Sequence, residues 1–181
     1  LGLCRIIAKW PISAGSVSSD NTSRDSSKIG SRIEVEVIAM LAEMLGFDPE
    51  RATGHITGGG TVANFEAVWR ARFRQDHWLS LLLYLAEERG VTLDLFAGAH
   101  MGWKRFAELL DAHDVVLDDL RGYSGVATNP YAFGERMTQA FGQPYRGPVM
   151  LVPENKHFSW TKATNIFGYG EDAFWPVPLD A

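Results

Sequence analysis

Cysteine is nearly absent from this chain of 181 residues, since Cys4 is the only one. A single cysteine cannot form an internal disulfide, and this predicts a reducing compartment and a cytoplasmic protein. Cys4 itself is interpreted as a small buried apolar residue rather than as a nucleophile.

Positive charge and long apolar runs are also scarce. The 17 lysines and arginines are outnumbered by 22 acidic residues, which gives a formal net charge of −5. An acidic chain without a basic stripe is poorly suited to nucleic acid as its main partner. The longest apolar run, residues 79–86, is far shorter than the roughly 18 residues of a membrane-spanning helix. The sequence therefore predicts neither a nucleic-acid-binding protein nor a membrane protein.

Several well-known chemical motifs are missing. The chain has no HExxH or CxxC metal spacing, no GxSxG nucleophile elbow, and neither of the common nucleotide-phosphate loops, GxxxxGK[ST] and GxGxxG. Four histidines lack the spacing of metal ligands: His55, His77, His100 and His113. We therefore predict no metal site, although His55 lies beside a glycine-rich segment.

That segment, Gly58, Gly59 and Gly60, is the most informative feature present. A helical pattern begins directly after it, at Thr61. Glycine permits positive φ angles and the close approach of a ligand, and the first turn of a helix offers unpaired N–H groups and partial positive charge. Together these properties predict a socket for a phosphate or carboxylate. The alternative is a glycine run that only makes a tight turn.

Hydrophobic periodicity predicts an α/β domain over residues 31–181, after a flexible or extended segment over residues 1–30. Ser31 and Glu34 fit a capping box at the start of the first helix, and Gly46 suits its end. Helices are predicted at about 31–45, 62–75, 78–88, 103–110, 133–141 and 159–167, and strands at 149–152 and 174–178, with a short strand at 55–57 as an option. Residues 118–148 otherwise look like a long connection.

The last two strands and the helix between them form a βαβ unit, whose first strand is expected to be buried and parallel. Ser159 is expected to cap the intervening helix, and Gly168 to end it. His157 follows the carboxyl end of the first strand, where open α/β sheets bind ligands. A neutral imidazole at this position can stack on a flat aromatic ligand. A surface or capping histidine is the equally weighted alternative.

Two segments of the sequence resemble a known family. Residues 54–72 (GHITGGGTVANFEAVWRAR) and 152–163 (VPENKHFSWTKA) are similar to the glycine-rich and histidine-containing segments of the pyridoxal-phosphate-dependent amino acid decarboxylases, which act on glutamate, aromatic amino acids or tyrosine. The amino-acid sequence of the first segment is most similar to that of the bacterial tyrosine-decarboxylase-like members. The resemblance implies the N-terminal part of a type I large domain, with a mixed, mostly parallel sheet flanked by helices, and a homodimer.

The resemblance also implies roles for individual residues. Gly60 and Thr61 would hold the phosphate of pyridoxal 5'-phosphate, and Gly59 would permit its close approach. His157 would be the catalytic residue, stacked on the pyridine ring and positioning the carboxylate of the amino acid substrate. Activity would be that of a carboxy-lyase.

One family feature is not found in these 181 residues. The family lysine that binds the cofactor covalently follows a histidine, and no His-Lys pair occurs here, since the order at Lys156 and His157 is the reverse. Asp180 falls too early to be the aspartate that pairs with the pyridine nitrogen. The chain is thus expected to be a piece of a decarboxylase that is inactive alone. The alternatives are a non-catalytic cofactor- or phosphate-binding module and, less favoured, an unrelated nucleotide-phosphate binder.

Overall fold

The structure, a computed structural model, describes residues 28–179. The described residues divide into two compact units, residues 28–63 and residues 64–179. Cys4 and most of the predicted N-terminal segment lie outside the described residues.

Helices dominate the described part of the chain. The α-helices are α1 (Lys28–Met44), α2 (Gly60–Arg89), α3 (Leu95–Ala99), α4 (Gly102–His113), α5 (Pro130–Phe141) and α6 (Ser159–Ile166). Short 3-10 helices cover Leu117–Tyr123 and Glu171–Ala173, and the strands are β1 (Met150–Pro153) and β2 (Phe174–Val177).

Helix α1 begins one turn earlier than its sequence predicts. Ser31 lies inside the helix, and the predicted capping box with Glu34 is wrong. The Glu34 side chain instead accepts a hydrogen bond from the backbone N–H of Ile56 (2.6 Å), a partner that short-range patterns cannot reveal. The helix end is as predicted, because Gly46 adopts a positive φ of 78° and the N–H of Phe47 returns to the carbonyl of Ala42 (2.9 Å).

The segment between α1 and α2 lies against α1 without forming a strand, so the optional strand at residues 55–57 is not present. Its first turn is set by Asp48, whose side chain accepts from the N–H of Glu50 (3.0 Å). A Cβ on Gly54 would lie only 3.1 Å from Ile38 Cδ1. Glycine at this position therefore allows the segment to approach α1 closely.

Helix α2 is one helix of 30 residues, whereas the sequence predicted two. The polar residues Gln75, Asp76 and His77 lie at the predicted junction between them. No glycine or proline occurs between Gly60 and Gly90, however, and the polar side chain of Asp76 is buried by tertiary contacts. Gly90, with a φ of 63°, follows the helix as predicted.

The core of residues 64–179 surrounds the second half of α2, which is buried on all sides over Trp78–Leu85. One face packs on α4 and the segment after it through Leu81, Leu85 and Phe106. The opposite face packs on α5 through Leu82, Leu83 and Met137. This helix is therefore the scaffold on which the remaining elements of the unit assemble.

Parallel pairing of β1 and β2 confirms the predicted βαβ unit, with Met150 opposite Phe174 and Pro153 opposite Val177. The expected burial of β1 is wrong for most of the strand. Only Val152 is buried, at 5% exposure, and Leu151 is 65% exposed. The alternation of buried and exposed residues means that the described elements cover one face of this small sheet.

These elements agree with an α/β chain in which helices predominate and the described sheet has two parallel strands. The helix predicted at residues 133–141, within the long connection over 118–148, is confirmed and begins three residues earlier. This helix, α5, begins at Pro130 because the Asn129 side chain caps the N–H groups of Tyr131 and Ala132. The 3-10 helix Leu117–Tyr123 at the start of the connection was not predicted. Among the described residues, no helix is both long and apolar enough to cross a membrane.

Candidate functional site

The predicted phosphate-binding residues lie at the N-terminus of α2. Gly60 and Thr61 are the first two residues of the helix, and the carbonyl of Gly59 accepts the first helical bond, from the N–H of Ala63 (3.0 Å). The N–H groups in this first turn have no partner within the helix. Gly59 has no side chain to cap them, which leaves them suited to an anion.

The expected positive φ angles are not found at Gly58, Gly59 or Gly60. Glycine is therefore not required by the backbone conformation of this segment. Among the described residues of its own unit, no atom lies within 4 Å of the position that a Cβ on any of the three would occupy. The Thr57 hydroxyl donates to the carbonyl of Gly59 (3.0 Å) and holds the turn into the helix. The glycines thus keep one face of the turn open.

His157 lies in the turn between β1 and α6 and is exposed. Its Nδ1 is 2.9 Å from Ser159 Oγ and 3.2 Å from the backbone nitrogen of Ser159. Ser159 Oγ in turn is 2.7 Å from Asn64 Nδ2. The ring is therefore held at one nitrogen, while the rest of it is accessible.

Ser159 does not cap α6, which corrects the sequence prediction. The residue before it, Phe158, takes the capping position without a side-chain cap, and the Ser159 hydroxyl is instead within hydrogen-bond distance of His157 and Asn64. The end of the helix is as predicted, with Gly168 at a φ of 69°.

Asn64, Ser159 and His157 are brought together within residues 64–179, while Gly59, Gly60 and Thr61 belong to the other unit. Sequence reasoning gave Asn64 no role and gave Ser159 a different one. The available signal was the position of Ser159 two residues after His157, within reach of its ring. The neighbouring Lys156 places its ammonium 5.0 Å from the centre of the Phe174 ring, so it is occupied by a cation–π contact.

A second contact joins the same two helices. Arg72 Nη1 donates to the carbonyl of Phe167 (2.9 Å), and its guanidinium lies 5.7 Å from the centre of the Tyr169 ring. Phe167 is the C-terminal cap of α6, where carbonyls lack partners within the helix. Arg72 therefore satisfies one of these carbonyls with a charged donor.

A cleft of about 860 Å³ lies among α2, α5 and the segment after α6. Arg72, Asp76, Tyr145 and Tyr169 line it, and His157 does not. Burial raises the pKa of Tyr145 to about 12, and burial also raises the pKa of Tyr169. Both phenols are thus neutral hydrogen-bond donors at neutral pH rather than bases. The cleft is separate from the histidine cluster, and we assign it no part in the chemistry.

Three proteins with a named activity are similar to this sequence. The chain is 30% identical to L-tyrosine decarboxylase of Enterococcus faecalis over 167 residues, 31% identical to that of Levilactobacillus brevis over 168 residues, and 27% identical to that of Enterococcus faecium over 161 residues. This chain is a homologue of the L-tyrosine decarboxylases. The predicted family resemblance is therefore confirmed.

The homology has a defined extent. The matches cover 88–90% of this chain but only 23–24% of the length of each decarboxylase. The chain thus spans about a quarter of the curated relatives that it matches. No family profile matches the sequence. Among residues 28–179, no group of three or more histidine, cysteine, aspartate or glutamate side chains is arranged to hold a metal ion.

Proposed function

We propose that this chain is part of a pyridoxal-phosphate-dependent L-amino acid decarboxylase of type I fold. Homology to tyrosine decarboxylases over about nine-tenths of the chain carries the proposal. The substrate class that follows from these relatives is an aromatic amino acid such as tyrosine, with an acidic amino acid as the alternative. A homodimer, or the remainder of a longer chain, would complete the enzyme.

The residues at the start of α2 fit the phosphate of this cofactor. The open side of the glycine turn leaves room for a dianion beside the backbone, and the first-turn N–H groups and the helix dipole favour negative charge. Gly59, Gly60 and Thr61 would hold the phosphate, with the Thr61 hydroxyl adding one hydrogen bond. The exposed ring of His157, tethered at Nδ1, is suited to stacking on the pyridine ring.

Pyridoxal 5'-phosphate, when bound, supplies the electron sink that amino acid decarboxylation needs. His157 would restrict the tilt of the cofactor ring and position the substrate carboxylate for loss. The 181 residues contain no His-Lys pair to provide the family's covalent anchor. We therefore propose that the chain by itself binds cofactor without turning over substrate.

The alternative function is a non-catalytic module that binds a cofactor or phosphate. The open turn at the start of α2 favours it, because such a turn suits a phosphate with or without decarboxylase chemistry. It differs from the first proposal in one respect, because no decarboxylase partner would restore activity to such a module. Restoring activity by adding the remainder of a decarboxylase chain would exclude it.

Cofactor binding by the chain provides the test. We expect pyridoxal 5'-phosphate to bind more tightly than pyridoxal, which lacks the phosphate, and more tightly than ATP in competition. Thr61→Val removes one hydrogen bond to a charged group, which is worth about 1.5 kcal/mol, so affinity for the phosphorylated form should fall roughly tenfold. Titration followed by fluorescence or calorimetry measures these constants.

Thr92→Val is the matched control, because Thr92 is exposed and lies in the segment after α2. It should leave the affinity unchanged. Equal affinity for pyridoxal and its phosphate, or tighter binding of ATP, would contradict the proposed site. Release of CO₂ from tyrosine by the chain alone, or a stoichiometric lysine adduct after borohydride reduction, would contradict the predicted inactivity.

A further inference from the structure

Asn64, Ser159 and His157 form a continuous hydrogen-bonded chain. Asn64 Nδ2 lies 2.7 Å from Ser159 Oγ, and this oxygen lies 2.9 Å from His157 Nδ1. Ser159 is only 1% exposed, whereas His157 is exposed. A buried hydroxyl therefore connects an amide on α2 with an accessible imidazole.

The direction of these bonds follows from the backbone. The N–H of Ser159 also points at His157 Nδ1 (3.2 Å), and a backbone N–H can only donate. Nδ1 must therefore be an acceptor without a proton of its own. The Ser159 hydroxyl accepts from the Asn64 amide and directs its own proton to the same nitrogen. In the neutral imidazole, the single ring proton must then lie on Nε2.

We propose that Asn64 and Ser159 are positioning residues that fix His157 as the Nε2–H tautomer and lock the orientation of its ring. Two donors hold Nδ1, and the hydroxyl is itself held by the amide of Asn64. A hydrogen-bond donor is thereby presented at Nε2, on the accessible part of the ring.

The consequence for catalysis rests on the proposed function. A donor at Nε2 can hydrogen-bond to the carboxylate of a bound amino acid, whereas the other tautomer would present a lone pair and repel it. Fixing the tautomer before binding lowers the cost of organising the site.

The tautomer can be measured on the chain labelled with ¹⁵N in its imidazole rings. The spectrum contains five histidines, and the signals lost in His157→Gln identify the ring of interest. We expect its Nδ1 to have the ¹⁵N chemical shift of an unprotonated nitrogen and its Nε2 that of a protonated nitrogen. A protonated Nδ1 in the neutral ring would overturn the proposal.

Asn64→Asp is the sharpest variant because it keeps the shape and reverses the bond direction. A carboxylate can only accept, so the Ser159 hydroxyl would donate to it and no longer to His157 Nδ1. We expect the Nδ1 signal to shift because it loses the hydroxyl donor, while the Ser159 N–H keeps this nitrogen unprotonated. Asn165→Asp, an exposed site on α6, adds the same charge and should leave the His157 signals unchanged.

A second variant covers the case in which Asn64→Asp does not fold. Ser159→Ala removes only the hydroxyl, and we expect the His157 Nδ1 signal to shift while the other histidine signals stay in place. Unchanged His157 signals in a folded variant would overturn the proposal. If the His157 signals contradict the predicted tautomer while the chain still binds cofactor, the positioning role alone is rejected. If the tautomer is as predicted but the chain does not bind cofactor, the proposed function is rejected.

Discussion

Arg72 and Phe167 are joined by a charged hydrogen bond, Nη1 to carbonyl oxygen at 2.9 Å. Asn64 and Ser159, each eight positions earlier, are joined at 2.7 Å. Since both pairs have the same separation of 95 residues, α6 runs alongside the first half of α2 in the same direction. Helix α6, which follows the turn that carries His157, is therefore anchored to α2 at both of its ends.

Loss of the Arg72 contact is expected to destabilise the chain. Arg72→Met keeps most of the side-chain length and removes the charged donor to the Phe167 carbonyl, so the free energy of unfolding should fall by about 1 kcal/mol. Chemical denaturation measures the change. Arg121→Met, at an exposed position in the 3-10 helix Leu117–Tyr123, is the control and should change stability by less than about 0.5 kcal/mol.

Gly98 leaves no room for a side chain. A Cβ there would lie 2.5 Å from Leu82 Cδ1 and 2.7 Å from Cδ2, and Leu82 is itself buried in the core. Gly98→Ala should therefore cost about 1–3 kcal/mol through overpacking, in spite of the better helix propensity of alanine. Thermal unfolding monitors the loss.

Gly122→Ala provides the comparison for Gly98→Ala. Among the described residues, no atom lies within 4 Å of where its Cβ would be, and its φ is not positive. Near-neutral stability of Gly122→Ala beside a clear loss in Gly98→Ala would support close packing as the cause. Equal effects of the two changes would contradict it.

Asp76 is expected to give the chain a specific pH dependence. Burial raises the pKa of its carboxyl above the ordinary value of 3.8, against hydrogen bonds from the Ser124 hydroxyl (2.6 Å) and the Val126 N–H (3.1 Å). The folded state therefore binds the proton more tightly than the unfolded state. Stability from this group should be fully present below about pH 3.8 and fall as pH rises through the folded pKa.

Comparison with Asp76→Asn isolates this contribution, because asparagine does not titrate. The difference in unfolding free energy between the original chain and the variant should decrease from acidic to neutral pH, then remain constant. Denaturation midpoints across pH 4–8 measure it. A difference that increases with pH would show that the hydrogen bonds outweigh burial and that the folded pKa is lowered.

Local chemistry accounts for the elements that the sequence predicted well. Gly46, Gly90 and Gly168 lie at positive φ immediately after helices, because glycine is the residue for which this conformation costs least. The parallel βαβ unit followed from two apolar strands separated by a helical pattern. The family was also evident from short segments, since they retain glycines and a histidine in a characteristic order.

Only the tertiary structure determined the hydrogen-bond partners of polar side chains, because these partners are distant in sequence. Asp76 lies between two predicted helices, yet Ser124 and Val126 stabilise its burial within one continuous helix. Ser159 had the chemistry of a cap, but its hydroxyl could be assigned only when Asn64, 95 positions away, was placed beside it. Sequence patterns thus determined where the backbone can turn, because that preference is local. The choice of polar partners required the fold, because a side chain bonds to whatever donor or acceptor the fold brings within reach.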